Sequence, residues 1–215
     1  DDGANWQSLR LNMPATSIRD LIVKDDDIAV GTHGRSIWIL DDVTPLRQLD
    51  ARSASRGVAL FTPQTATRWR WDSWTDTPIP IDEPRGDNPP DGALVNYWLQ
   101  SGAQSVTLEI LDSRGQVIRQ YSSSDTSMAP RDIGNVPAVW IRPTQVIAAT
   151  PGMHRFVWDM RHDPPSGIAP SYPISAIPGN TPRNPRGPLA TPGSYTARLT
   201  VDGQSVSQPF TVRMD

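Results

Sequence analysis

Trp69, Trp71 and Trp74 crowd one short stretch of the chain, with Arg68, Arg70 and Asp72 beside and between them. Flat indoles on one side of a strand, flanked by side chains that hydrogen-bond hydroxyls, can stack on sugar rings. The run Arg68-Trp69-Arg70-Trp71 alternates at strand period, so the two indoles share one face and the two arginines take the other. Trp74 joins that face only if the chain turns at Ser73. The same indoles suit a packed interface, because a large aromatic buries area without burying a charge. Packing is the favoured reading, and Trp69, Trp71 and Trp74 are kept as the candidate carbohydrate-binding residues.

Other chemistry has thinner material. Hydrolysis of a glycosidic bond needs two carboxyl groups about 5–10 Å apart. Asp25-Asp26-Asp27 and Asp41-Asp42 are the densest carboxylates considered, and both groups lie near turns. Aspartates there more often accept backbone N–H groups, or hold a cation weakly, than act as acid and base. The histidines, His33, His154 and His162, show neither i,i+4 spacing nor an HExxH pattern. Neither a GxSxG elbow nor a phosphate-binding loop is present. With no cysteine, disulfides, thiolate nucleophiles and thiolate zinc sites drop out together. No catalytic residue, metal ligand or cofactor is assigned.

The elements that must position these residues read as short strands. Ile18–Val23, Ile28–Thr32 and Ser36–Leu40 are three strand signals joined by the polar turns Lys24–Asp27 and His33–Arg35. Such a meander cannot bury its own two faces, so it needs neighbouring layers. A polar, arginine-rich stretch from Leu49 to Gly57 reads as a linker, and the proline-dense run from Thr77 to Asp91 as a loop or crossover. Beyond it, Ala93–Leu99, Val106–Leu111, Gln116–Tyr121, Arg155–Met160, Ser194–Val201 and Ser205–Val212 read as strands. Asp112-Ser113-Arg114-Gly115 and Asp202-Gly203 are hairpin turns. Phe156 and Trp158 point to one face and read as core, as do Trp98 and Trp140. From Asp163 to Pro192 nine prolines exclude a regular ladder. Tyr172, Ile174, Ile177 and Leu189 are spaced there as apolar anchors of a strap.

Composition agrees with short strands and many turns. The chain of 215 residues carries 22 prolines and 15 glycines, which disfavours long helices. It is long enough for one large or two small domains and too apolar for wholesale disorder. A net charge of −3 offers no phosphate-seeking field, which argues against a nucleic-acid partner. Of 20 basic residues only Lys24 is lysine. No apolar run is long enough for membrane insertion. Both ends read as the interior of a longer chain.

Two segments carry a family resemblance. Ser17–Leu46, centred on Val30-Gly31-Thr32-His33-Gly34-Arg35-Ser36-Ile37-Trp38-Ile39-Leu40-Asp41-Asp42, resembles the closing blade of bacterial sortilin-like, BNR-repeat β-propeller proteins. These are often labelled glycosyl hydrolase or xyloglucanase-like. The family's Asp-box, Ser/Thr-x-Asp-x-Gly-x-Thr-Trp, is absent here. The second segment is similar to the immunoglobulin-like domain of the flagellar hook-capping protein. Its carriers are Leu108-x-Ile110-x-Asp112-x-x-Gly115-x-Val117-Ile118-Arg119, Gly152-x-His154-x-Phe156-x-Trp158-Asp159-x-Arg161 and Pro192-Gly193-x-Tyr195-x-Ala197-x-Leu199.

The resemblance implies an all-β chain. Residues 1–50 would be the last blade segment of a propeller and 51–91 a linker and crossover. Residues 92–215 would be an immunoglobulin/fibronectin-like β-sandwich with a long proline-rich insertion. It further implies a non-catalytic accessory module of a secreted or periplasmic protein, one that closes or orients the propeller and mediates protein contacts. Its partners would be the remaining blades. A carbohydrate-binding module, or a cleft wall of a glycoside hydrolase with polysaccharide as partner, is the alternative.

Overall fold

The computed structural model describes residues 3–50, 55–69, 82, 86, 88–127, 129, 131–134, 136–169, 171–173 and 178–215. The fold is all-β, and the chain divides into two compact units, Asp1–Arg47 and Gln48–Asp215.

The first unit holds β1 (Ile18–Lys24), β2 (Asp27–Thr32) and β3 (Ile37–Leu40), an antiparallel meander in the order β1-β2-β3. Its turns are built from short polar residues and positive φ. Asp25 takes φ 53° in the first, and Gly34 and Ser36 take 74° and 65° in the second. The Thr32 hydroxyl closes that second turn by donating to the Ser36 carbonyl at 2.6 Å. A short helix, α1 (Thr44–Gln48), follows, entered through a side-chain turn at Asp42. There Asp42 Oδ1 accepts the Thr44 amide at 3.1 Å and the Thr44 hydroxyl at 2.5 Å.

The second unit holds β4 (Val58–Leu60), β5 (Ala66–Arg68), β6 (Ala93–Leu99), β7 (Val106–Leu111), β8 (Val117–Ser122), β9 (Gly152–Trp158), β10 (Gly193–Val201) and β11 (Gln204–Met214). They make a five-stranded sheet, β5-β11-β10-β7-β8, and a three-stranded sheet, β4-β6-β9. The pairing is antiparallel except for β5, which runs parallel to β11 with Ala66 opposite Val212. Thus β4 and β5, which lie within the stretch 51–91, pair with strands from beyond it.

Strand alternation fills the core. Tyr195, Ala197, Leu199 and Val201 of β10 are buried every second residue, as are Val106, Leu108 and Ile110 of β7. Val95, Tyr97 and Leu99 of β6 and Phe156 and Trp158 of β9 join the same apolar cluster. Trp158 is fully buried, with the Tyr195 ring at 5.5 Å and the Phe210 ring edge-on at 6.0 Å. Its indole N–H donates to the Arg161 carbonyl at 2.9 Å, so the largest core side chain leaves no polar atom unpaired.

Two tryptophans read as core lie elsewhere. Trp98 alternates out of phase with Tyr97 and Leu99 and is only half-buried. Trp140 is not in a strand: it ends a 3-10 turn, Ala138–Trp140, and is half-buried too.

Residues 178–190 lie against the second unit through their backbone. Thr181 exchanges hydrogen bonds with Trp140 and Arg142, and His162 and Ala190 donate to Pro188 and Met160. Thr181 and Ala190 are wholly buried, whereas the Leu189 side chain stands 40% exposed and the residue is held by a backbone bridge to Arg161. Proline has no N–H to contribute, so attachment falls to the residues between the prolines. Ile174 and Ile177 lie outside the described residues, and Tyr172 is half-buried.

Candidate functional site

The register of the first unit assigns its side chains to faces. Leu21 opposes Val30, which opposes Trp38, while Val23 opposes Ile28, which opposes Leu40; these six share one face. Ile22 opposes Ala29, which opposes Ile39, and Ile37 follows two residues from Ile39 on that other face. The first face is therefore apolar, whereas the second mixes these apolar residues with Asp20, Lys24 and Asp27. Leu21 and Ile22 are 55% and 56% exposed, and Ile37 and Ile39 are 73% and 63% exposed. An antiparallel sheet with one wet side puts polar residues there. This sheet keeps its charges to the rim of one face, Asp20, Lys24 and Asp27, and still presents large apolar side chains to solvent on both sides.

The aspartates around it are occupied with backbone amides or with neighbouring cations. Asp27 Oδ1 accepts the Asp42 amide at 2.8 Å, Asp42 accepts the Thr44 amide at the entry to α1, and Asp26 pairs with Arg47. Arg47 also donates to the Asp25 carbonyl at 3.1 Å. These carboxylates brace turns. Among the described residues no group of three histidine, aspartate or glutamate side chains is placed to hold a metal ion. His154 packs on Tyr97 with ring centroids 5.0 Å apart, and its Nε2 lies 2.6 Å from the Thr150 carbonyl.

Of the candidate carbohydrate-binding residues, Trp69 follows β5 directly and is 54% exposed. Trp71 and Trp74 lie outside the described residues, as do Arg70 and Asp72. Arg68 is half-buried and donates from Nη1 to the Ala190 carbonyl at 2.8 Å, so it serves the body of the unit.

Sequence reasoning missed a polar cluster on the second unit. Arg119 donates to Asp163 Oδ1 at 2.6 Å and to the Tyr121 hydroxyl at 3.0 Å, with its guanidinium 5.0 Å from the Tyr121 ring. Burial pushes the Tyr121 hydroxyl up to about 12, against the pull of Arg119. Arg161 binds the Gly187 carbonyl at 2.9 Å, and Arg142 binds Asn180 Oδ1 at 2.9 Å. The preponderance of arginine over lysine was the available signal, since a planar fork suits backbone and amide acceptors better than an ammonium does.

No family model matches the chain, and no curated protein matches it. Among solved structures, the crystal structure of CopC from Methylosinus trichosporium OB3b is similar at 17% identity. That likeness covers 58% of this chain and 78% of the other, with a TM-score of 0.26. Among the described residues no helix is long and apolar enough to cross a membrane.

Proposed function

We propose that this chain is a non-catalytic accessory module of a secreted or periplasmic sortilin-like, BNR-repeat propeller protein. In this reading residues 1–50 are the closing blade segment. Residues 92–215 form an immunoglobulin/fibronectin-like β-sandwich with a proline-rich insertion, which seals or orients the propeller and mediates protein contacts. The observation that carries the proposal is the sheet β1-β2-β3, which exposes large apolar side chains on both faces, Leu21 and Val23 on one and Ile22, Ile37 and Ile39 on the other. A blade stacked between two neighbouring blades needs that pattern, and a solvated meander does not.

The magnitude supports a real partner surface. Covering a large aliphatic side chain is worth roughly 1.5–3 kcal/mol from full exposure. Leu21, Ile22, Val23, Ile37 and Ile39, each more than half exposed, together hold on the order of 5–10 kcal/mol of unrealised burial. The two sheets of the second unit share one apolar core, which supports the sandwich reading.

The test is to extend the chain at its N-terminal side with the residues that precede it in the parent. Extension is expected to raise the melting temperature of the first unit and abolish its binding of a hydrophobic dye. Unchanged melting and unchanged dye binding would contradict the proposal.

The exposure of Trp69 favours a second reading, a carbohydrate-binding module or cleft wall of a glycoside hydrolase. Calorimetric titration with β-glucan, xyloglucan and sialylated oligosaccharides tests it. Heat that disappears in Trp69→Ala would support it.

A further inference from the structure

Arg142 is held from one side by a neighbouring segment. Its amide donates to the Thr181 carbonyl at 2.9 Å and its Nε to Asn180 Oδ1 at 2.9 Å. These two bonds fix the direction of the guanidinium. Its Nη groups meet no acceptor among the described residues, and no ion pair there includes Arg131 or Arg142.

Both arginines line a cavity of about 40 Å³, together with the hydroxyl-bearing Thr144 and Tyr172 and the apolar Ile133 and Ile141. The carboxylate nearest in sequence, Asp132, is engaged with the Ala138 amide at 2.8 Å. Asp159 and Asp91 act on Arg142 only through space, and Arg186 opposes them. Arg142 is half-buried, and burial lowers its pKa against the pull of Asp159 and Asp91. A half-buried guanidinium with its direction fixed and its Nη groups open gains from an anion that reaches it.

We propose that the cavity between Arg131, Arg142, Thr144 and Tyr172 binds a carboxylate head group. Its size suits a carboxylate head group, with the rest of the ligand lying outside it. A guanidinium fork matches two carboxylate oxygens, and two hydroxyls add donors of adjustable direction. Asp91 and Asp159 reduce the local positive charge, which favours a monoanion over a dianionic phosphate. The carboxylate reaches the cavity either as a free small acid or as a uronate unit of an acidic glycan.

The experiment follows the Arg142 Nε–Hε resonance of the full chain at constant ionic strength, titrating acetate, glucuronate and inorganic phosphate in turn. Saturable shifts with acetate and glucuronate are expected, with phosphate weaker. Glucuronate binding about tenfold tighter than acetate assigns the uronate source, and equal affinities assign the free acid. Arg131→Gln and Arg142→Gln should each weaken binding by about tenfold or more, the effect of one charge-assisted bond. If Arg142→Gln fails to fold, Arg131→Gln and Tyr172→Phe, followed by the remaining cavity resonances, carry the comparison. No saturable shift, a shift unaltered in Arg131→Gln, or phosphate binding tighter than acetate would overturn the proposal.

Discussion

Leu21 and Ile22 are consecutive residues of β1, point to opposite faces of one sheet, and are exposed to nearly the same extent, 55% and 56%. Solvent is a poor neighbour for either. The relationship separates this sheet from those of the second unit, where side chains of the inner face are buried and their outward neighbours are largely polar.

Making either face polar should therefore relieve the chain. Leu21→Gln combined with Ile39→Thr is expected to reduce self-association and dye binding without lowering the melting temperature of the second unit. Light scattering and dye fluorescence check it. Loss of the second unit's transition would show that these side chains support more than their own sheet.

Trp158→Ala should cost about 3–5 kcal/mol, because it opens a cavity against Tyr195 and Phe210 and frees the Arg161 carbonyl. Denaturant unfolding measures it. An unchanged midpoint would remove Trp158 from the core.

Gly187→Ala tests how closely the proline tract lies against the body. A Cβ at Gly187 would stand 1.9 Å from the His162 carbonyl oxygen, which is backbone and cannot swing aside. The expected loss is about 1–3 kcal/mol, with faster amide exchange at His162 and Ala190. Exchange rates matching the wild type would show that the tract adjusts freely.

Much of this fold was legible from local pattern. The hairpin at Asp112–Gly115 announces itself because its chemistry is local: Gly115 takes φ 77° and the Asp112 carboxylate accepts the Arg114 and Gln116 amides at 2.9 Å each. The inward pair Phe156 and Trp158 follows from period-two alternation. The parallel pairing of Ala66 with Val212 was not legible, because contacts between distant segments leave no spacing to read. Trp140 misled because an apolar triplet suits a turn as well as a strand. Leu189 misled because attachment there resides in backbone groups, to which side-chain type is blind. The arginine-lined cavity was hidden for a related reason, since Arg131, Arg142 and Tyr172 are joined only by the folded chain.

Stability should fall at both pH extremes for separate reasons. Asp112 sits below the usual carboxylate range, chiefly because it accepts the Gln116 amide and further because Arg114 lies beside it. Its stabilisation is present above the unfolded pKa and is lost as pH falls through the lower folded one. Burial pushes the hydroxyls of Tyr97 and Tyr121 from 10.0 to about 12. Their contribution is full below 10.0 and is lost as pH climbs toward about 12, where the unfolded chain has already ionised. Melting curves across pH check both limbs, and Asp112→Ala should flatten the acid limb. An acid limb unaltered by that substitution would clear Asp112 of the effect.

Residue-resolved amide exchange on the monomeric 215-residue chain tests the two-faced sheet most directly. The account predicts fast exchange across β1-β2-β3 beside strong protection of β6, β7, β10 and the inner part of β11. In the proposed propeller context, supplying a neighbouring blade should then slow exchange in Ile18–Lys24 and Ile37–Leu40 alone. Protection of β1-β2-β3 equal to that of β10 in the monomer would contradict it, because a sheet that stable has no need of neighbours.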